Sequence, residues 1–345
     1  MPERLYPHEV LLAAFGIVLS TALVFVAGIS ATVTAQAVGG TVLFMGSVAL
    51  LARLDAVAHV FRARLLLAYL ATFFFYASVK QAVPALGLVT RDAWLLSADV
   101  FLFGITPAAW LQRWSTPWVN ELFSASYLAF HGYLHLAMAW ALVGPRARAE
   151  RFFIDVFSAY LPGIAGYYLM PAIGPVAAWP ELFTVPIEGG WFTQLNAAVV
   201  ASGSSTYDLF PSLHTYITLV LLEHDRRQHP WRFRLMVPVA VAILMSTLVL
   251  RYHYAVDLLA GAVWFMVFRA CFPGFRRAGR RGRRYRSTKR RRWASGDSPV
   301  RALKEEWTVV IRYTHDVEKT SEGWRIRRVM LAPSTTGATL WGWSA

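Results

Sequence analysis

The chain has 345 residues, of which 56% are hydrophobic and only 16% are charged, and its mean hydropathy is +0.42. This composition is too apolar for an ordinary soluble domain and predicts an integral membrane protein. The net charge of +14 is concentrated in the tail, because residues 1–275 carry 16 Lys and Arg against 14 Asp and Glu, whereas residues 276–345 carry 18 against 6. The single cysteine, Cys271, excludes a disulfide framework and a thiolate metal cluster.

Eight apolar runs reach or approach the roughly 20 residues that a helix needs to cross a bilayer. They predict an all-α membrane protein, a bundle of about eight transmembrane helices within a range of six to eight. The runs cover residues 10–31, 37–53, 63–84, 118–143, 152–171, 209–222, 235–250 and 253–272. The sixth and seventh are short, but polar residues at their ends are compatible with helices that face a cavity.

The placement of arginine predicts the orientation of the bundle. The connections between spans two and three, four and five, and six and seven are rich in arginine, whereas residues 172–208 contain no Lys or Arg. Because basic loops stay on the cytoplasmic side, both termini are expected in the cytoplasm and the 172–208 loop outside a bacterial plasma membrane. Residues 91–118 mix aromatic and charged side chains, which favours interfacial helices on the outer face, with a re-entrant helix pair as the alternative.

Two polar stretches stand out from the apolar background, at residues 210–216 and 251–257, and both fall on the predicted outer face. His253 and Asp257 are four residues apart, so on a helix the carboxylate can accept the Nδ1 proton of the imidazole. The free Nε2 could then attack phosphorus and form a phosphohistidine. His214, on a neighbouring span, could protonate the departing alkoxide. These three residues are the predicted catalytic site.

A phosphate group would also need positive or hydrogen-bonding partners. Arg251 carries a planar guanidinium that suits phosphate oxygens, and it lies outside against the positive-inside trend. Ser212 falls at the start of span six, where free backbone N–H groups favour an anion. A zinc site made of the two histidines and the aspartate is an open alternative, but no metal and no other cofactor is expected. His131 and His135 on span four are expected to serve packing or helix–helix hydrogen bonding.

The two stretches resemble motifs of the type 2 phosphatidic acid phosphatase superfamily, over most of residues 60–272. The second motif of that superfamily is Pro-Ser-Gly-His, and its inositol phosphorylceramide synthase branch, with its bacterial relatives, carries the Phe-Pro-Ser-Leu-His that stands here at 210–214. The third motif is Ser-Arg, five residues, His, three residues, Asp, and here Ser246 precedes His253 and Asp257 at the matching interval. Asp99 with residues 102–104, and residues 168–175, are weaker similarities to the branch.

The resemblance implies that His253 is the nucleophile, Asp257 its orienting partner and His214 the general acid, with no metal. The sequence departs from the superfamily motifs at two places that would bind phosphate. Thr247 stands where the third motif has an arginine, and the first motif, Lys, six residues, Arg-Pro, is absent. Arg251 could supply the lost charge. Lys80 and Arg113, both predicted near the outer face, are weaker candidates for binding the substrate. Lys80 could equally be a lysine at a helix end whose ammonium group reaches the membrane surface by snorkelling.

These patterns predict a lipid phosphotransferase or phosphatase that acts on a lipid phosphate or phospholipid, with transfer of a phospho-headgroup to a lipid alcohol favoured by the synthase-like motif. Simple hydrolysis of a lipid phosphate or a polyprenyl pyrophosphate is the alternative. A non-catalytic transporter or scaffold belongs to a different class, and the lack of an internal repeat weakens it.

The expected organisation is N-terminal transmembrane helices at 1–58, a catalytic membrane domain at 59–275 and a basic cytoplasmic tail at 276–345. The arginine-rich stretch at 276–292 is expected to bind anionic lipid headgroups. Nucleic acid is a less favoured partner, because no recognition motif accompanies the charge. Residues 307–313 and 324–331 look strand-like, so a small β-hairpin or a disordered tail are both open.

Overall fold

The computed structural model describes residues 5–54 and 59–272, together with four short strands in the tail. The chain divides into two compact units, Met1–Ala278 and Gly279–Ala345. The first unit is helical. Its helices are α1 (Pro7–Val26), α2 (Thr32–Arg53), α3 (Val60–Ala85), α4 (Asp92–Phe103), α5 (Pro107–Leu111), α6 (Pro117–Leu142), α7 (Arg146–Leu169), α8 (Pro175–Ala178), α9 (Trp191–Gly203), α10 (Leu213–Gln228), α11 (Pro230–Val249) and α12 (Ala255–Cys271).

Each of the eight predicted apolar runs coincides with one of these helices. Within the described residues, however, only α1, α2, α3, α7 and α11 are both long and apolar enough to cross a membrane. The number rises to six if α4 and the segment Pro107–Trp114, which meet at a bend of 68°, form one broken span. The chain is thus a multi-pass helical membrane protein, and the expected eight spans are not confirmed. α10 and α12 have only 16 and 17 residues, and α6 has 26 residues but is not among the helices that are apolar enough.

The segment at 91–118 forms two short helices on either side of that bend. Gly104, at φ 77°, ends α4, and Pro107 starts α5 after the cap residue Thr106. A positive φ suits glycine and ends a helix, while proline fits a first helical position. The result is compatible with both the interfacial and the re-entrant alternatives.

α10, α11 and α12 pack together, and α7 supports α3, α6 and α10. Gly261 lets α12 approach α10 closely, since a Cβ atom at this position would lie 2.7 Å from the carbonyl oxygen of Ser212. Such an overlap with backbone cannot be relieved by turning a side chain. The close approach brings the starts of α10 and α12, and therefore the two motifs, to the same end of the helices.

The second unit contains four strands: β1 (Val317–Thr320) pairs antiparallel with β2 (Gly323–Ile326), and β3 (Val329–Met330) pairs with β4 (Thr339–Leu340). The strand expected at 307–313 and the arginine-rich stretch at 276–292 lie outside the described residues.

Candidate active site

His214 is the second residue of α10 and lies two residues after the helix cap. Ser212 is that cap, because its hydroxyl oxygen accepts a hydrogen bond from the N–H of Thr215 at 3.3 Å. The N–H of Ser212 donates to the carbonyl oxygen of Asp257 at 3.2 Å. This bond ties the start of α10 to the first turn of α12.

His253 lies in the loop before α12. The chain leaves α11 through Arg251, whose φ of 65° lies in the left-handed region, and the carbonyl of Thr247 accepts the N–H of His253 at 3.2 Å. Tyr254 then caps α12. His253 was expected on a helix, but it lies in the turn between α11 and α12. α11 ends at Val249 and Tyr254 caps α12, so His253 belongs to neither helix.

The four-residue spacing nevertheless brings His253 and Asp257 into contact. The Nδ1 atom of His253 lies 3.1 Å from each carboxylate oxygen of Asp257, and one of these oxygens also accepts the N–H of Tyr254 at 3.2 Å. Both side chains are buried. An imidazole whose Nδ1–H is held by a carboxylate presents an unprotonated Nε2 on its opposite side.

The His214 ring lies beside that of His253, with the ring centroids 5.5 Å apart and the planes at 75°. Tyr127 and Phe130 of α6 pack against it, at centroid distances of 4.5 and 4.7 Å. The Nε2 atom of His214 is buried and has no hydrogen-bond partner among the described residues. A buried polar atom without a partner is unfavourable, so this nitrogen is suited to bonding a ligand.

A cavity of about 490 Å³ adjoins both histidines. α3, α6 and α7 supply much of its wall, and most of the lining is aromatic or aliphatic. The lining includes Tyr69, Phe73, Tyr76, Tyr127, Phe130, Leu134, Phe157, Tyr160, Tyr167, Leu209 and Leu213. Phe73 lies on a helix apolar enough to span the membrane and is 56% exposed, so the cavity reaches the outer surface of the bundle at this point. Such a space suits the apolar part of a lipid.

His131 and His135 also line this cavity. The Nε2 atom of His135 lies 3.1 Å from the hydroxyl of Tyr69 on α3, and its Nδ1 atom lies 2.7 Å from the carbonyl oxygen of His131. The first contact is the helix–helix hydrogen bond expected for this pair. The His131 ring lies 6.5 Å from that of His214.

Arg251 is only 3% exposed, and its Nε and Nη2 atoms have no hydrogen-bond partner among the described residues. Its guanidinium lies 5.3 Å from the centre of the Phe183 ring. Burial lowers the pKa of this guanidinium from its ordinary value, although arginine stays charged at neutral pH. A buried positive charge with unsatisfied N–H groups favours an anion, and Arg251 is two residues from His253.

The other candidates for substrate binding have different surroundings from Arg251. Lys80 is exposed near the end of α3, and Arg113 is exposed and stacks on Trp110 at 4.7 Å. Neither belongs to the lining of the cavity, and Arg251 does not line it either, but Arg251 differs from both in being buried and only two residues from His253. Ser212 is fully buried and acts as the cap of α10. Thr247, which replaces the arginine of the third motif, donates its hydroxyl to the carbonyl of Leu244 at 2.7 Å.

Two carboxylates of α4 brace the loop that carries His253. Asp99 accepts hydrogen bonds from the N–H groups of Ala255 and Val256 at 3.1 and 2.8 Å, and so caps the start of α12. Asp92 accepts the hydroxyl of Tyr254 at 3.1 Å. From the sequence, Asp99 was expected only as a weak similarity to the branch, and no role was expected for Asp92. Their spacing of seven residues, two helical turns on one face, was the available signal.

Comparison with known families identifies this region of the chain. The model of the PAP2 superfamily matches residues 93–270, a range that contains both histidines, Asp257, Arg251 and the bracing carboxylate Asp99. No curated protein and no solved structure matches the chain.

Proposed function

Because the chain belongs to the PAP2 superfamily, we propose that it is a membrane-embedded lipid phosphotransferase or phosphatase that works through a phosphohistidine. Membership supports a phosphatase-type enzyme. The observation that carries the proposal is the pair formed by His253 and Asp257, with both Nδ1–carboxylate distances at 3.1 Å, beside His214 in one cavity. The resemblance to the inositol phosphorylceramide synthase branch is a finer prediction that the match does not test.

In the first step, Asp257 holds the Nδ1 proton and the Nε2 lone pair of His253 attacks phosphorus. An N–P bond forms, the P–O bond to the lipid alcohol breaks, and His214 donates a proton to the leaving oxygen. In the second step, water or an alcohol attacks the phosphohistidine and gives its proton to His214. The N–P bond then breaks, and both histidines return to their initial states.

Arg251 is the proposed partner of the phosphate oxygens. It supplies the positive charge that Thr247 lacks, and its buried Nε and Nη2 atoms are free of other bonds within the described residues. The first turn of α10 adds backbone N–H groups whose dipole favours an anion. Lys80 and Arg113 receive no such support from their exposed positions.

Arg251→Met is expected to reduce kcat/KM for a lipid phosphate by about 10²- to 10³-fold, because a charged hydrogen-bond donor to the transferring phosphoryl group is lost. The comparison is Arg113→Met, which removes the competing candidate and should cost less than about threefold. Steady-state kinetics of both purified variants shows which of the two arginines binds the phosphate. A larger loss in Arg113→Met would move the phosphate site to the α5 region.

Two fates of the phosphohistidine are chemically open, transfer to a lipid alcohol and hydrolysis. The synthase-like sequence at 210–214 favours transfer, and the aromatic cavity next to both histidines offers room for an apolar acceptor. The test supplies the protein in lipid nanodiscs with labelled phosphatidic acid, with and without ceramide or a diacylglycerol whose acyl chains differ from those of the donor. Label in a new lipid supports transfer, and label in orthophosphate supports hydrolysis. If no lipid phosphate is turned over, a transporter or scaffold is the better assignment.

We also propose that the site opens on the extracytoplasmic side. The support is the arginine distribution, since residues 172–208, which precede α10, carry no Lys or Arg. A topology reporter inserted near Gly189 is expected to be extracytoplasmic, and one fused after Ala345 cytoplasmic. The reverse pattern would put the site on the cytoplasmic side.

A further inference from the structure

One carboxylate lies in the wall of the cavity, away from the catalytic pair. Asp208 precedes the second motif and lines the cavity together with His214 and His253. One of its oxygens accepts the hydroxyl of Ser204 at 3.0 Å, and the other accepts the N–H of Ser205 at 3.2 Å and the hydroxyl of Tyr76 on α3.

These three donors are neutral. Within the described part of the chain, Asp208 forms no ion pair, and the lining of the cavity contains no Lys or Arg. A carboxylate has about four acceptor positions, and three are already occupied. Asp208 is half-buried and lacks a counter-charge rather than hydrogen-bond donors, so its negative charge would attract a cation that enters the cavity.

Aromatic rings surround this carboxylate. Tyr76, Tyr127 and Tyr167 all line the cavity, and the rings of Tyr76 and Tyr167 lie 6.4 Å apart at 63°. Tyr76 donates its hydroxyl to Asp208, and Tyr127 and Tyr167 line the same cavity as this carboxylate. Ring faces attract ammonium groups, and a set of such rings next to a carboxylate is a typical site for an organic cation.

Tyr127 also connects this site to the catalytic histidines. Its ring lies 4.5 Å from that of His214 and 5.0 Å from that of Tyr252, which is the neighbour of Arg251. Asp208, Tyr127 and the two histidines therefore line one cavity. A headgroup that joins phosphate and ammonium through two carbons could place its phosphate at His253 and its ammonium group at Asp208.

We propose that Asp208, with Tyr76, Tyr127 and Tyr167, binds the ammonium group of a zwitterionic phospholipid, such as an ethanolamine or a choline lipid, whose phosphate reacts at His253. The inference rests on the proposed function. Attack on such a lipid breaks the P–O bond to diacylglycerol, which takes a proton from His214, and leaves the phospho-headgroup on His253. Water or an alcohol then releases the headgroup and returns a proton to His214.

The test compares phosphodiester lipids that differ only in their headgroups. The full chain in nanodiscs is given phosphatidylethanolamine, phosphatidylcholine or phosphatidylglycerol with identical acyl chains, and kcat/KM is measured from diacylglycerol release. One of the two ammonium lipids is expected to exceed phosphatidylglycerol by at least about tenfold, since a buried cation pairs with a carboxylate. Preference for either ammonium lipid supports the inference, provided that the preference depends on Asp208.

Asp208→Asn keeps the shape of the side chain and removes its charge, so the preference is expected to fall to within about threefold of unity. Tyr76→Phe is the second variant, should Asp208→Asn fail to fold, and is expected to weaken the preference as well. The matched control is Tyr216→Phe, because the Tyr216 hydroxyl is buried without a partner among the described residues and does not line the cavity. This control should keep the wild-type preference.

Equal or faster turnover of phosphatidylglycerol by the wild type would overturn the inference, as would a preference that survives in both variants. Phosphatidic acid separates this failure from failure of the proposed function. If phosphatidic acid is turned over but no ammonium lipid is preferred, the ammonium site is wrong and the enzyme assignment stands. If no lipid of the set is turned over, both are wrong.

Discussion

His253→Gly is expected to lower the turnover of a lipid phosphate by at least about four orders of magnitude, because it removes the atom that bonds to phosphorus. The ring that is lost lines the cavity, so the variant leaves a space next to the phosphate. Imidazole added at millimolar concentration is therefore expected to restore part of the activity. Kinetics with and without imidazole measure both effects, and a purely structural role for His253 would not give rescue.

The control for this variant is His229→Ala. His229 follows the last residue of α10, at the opposite end of the helix from His214. Its loss is expected to change turnover by less than about twofold, as is usual for a substitution away from the chemistry. If His253→Gly kept a tenth of the wild-type rate, another group would have to be the nucleophile.

His214→Asn is expected to lower kcat/KM for a lipid phosphate by about 10²- to 10⁴-fold, since the leaving alkoxide then departs without a proton. The loss in kcat/KM, which reports the steps up to departure of the leaving group, depends on that group. With p-nitrophenyl phosphate, whose phenolate leaves readily without a proton, the same variant should lose less than about tenfold in kcat/KM. The ratio of the two losses is the measurement, because a variant that is only misfolded would lose both activities alike.

The neighbouring imidazole provides the comparison for His214. His131 lies 6.5 Å from His214, and we expect it to serve packing and helix contacts. His131→Asn should therefore cost less than about tenfold with either substrate, within the range of a packing change near the site. A loss in His131→Asn that disappears with p-nitrophenyl phosphate would instead make His131 the proton donor.

The helices of this protein were largely predictable from the sequence, because membrane-length apolar runs carry a strong signal. The number of spans was harder to predict. Helices such as α10 and α12, which start at the site, are short and carry the polar residues that the chemistry needs, so that length and composition alone do not qualify them as spans.

The spacing of His253 and Asp257 indicated their contact correctly but suggested the wrong local structure. The same four-residue separation is satisfied by a helical face and by a residue that precedes a capped helix, and the left-handed Arg251 selects the second arrangement. Residue spacing alone cannot distinguish these two arrangements. The sequence also showed that Thr247 replaces a phosphate ligand, and the burial of Arg251 now supports the proposed replacement.

The parts of the site that come from distant segments could not be predicted. The contacts of Asp99 and Asp92 with the loop that carries His253 span 156 and 162 residues, and the contact of Tyr76 with Asp208 spans 132 residues. Local patterns carry no information on such pairings, which depend on how α3 and α4 pack in the bundle. Lys80 and Arg113 remain untested candidates, because a predicted depth in the membrane does not decide whether a side chain reaches the cavity, and neither side chain lines it in the structure.

The central claim is that His253 carries the phosphoryl group during the reaction. The direct measurement is to incubate the protein briefly with ³²P-labelled phosphatidic acid, quench it under alkaline conditions that preserve phosphohistidine, and locate the label by peptide mass spectrometry. The label is expected on the peptide that contains His253, stable to alkali and lost in acid, present in His229→Ala and absent from His253→Gly. Label on His214 or another residue, or an active enzyme that is never labelled, would contradict the claim.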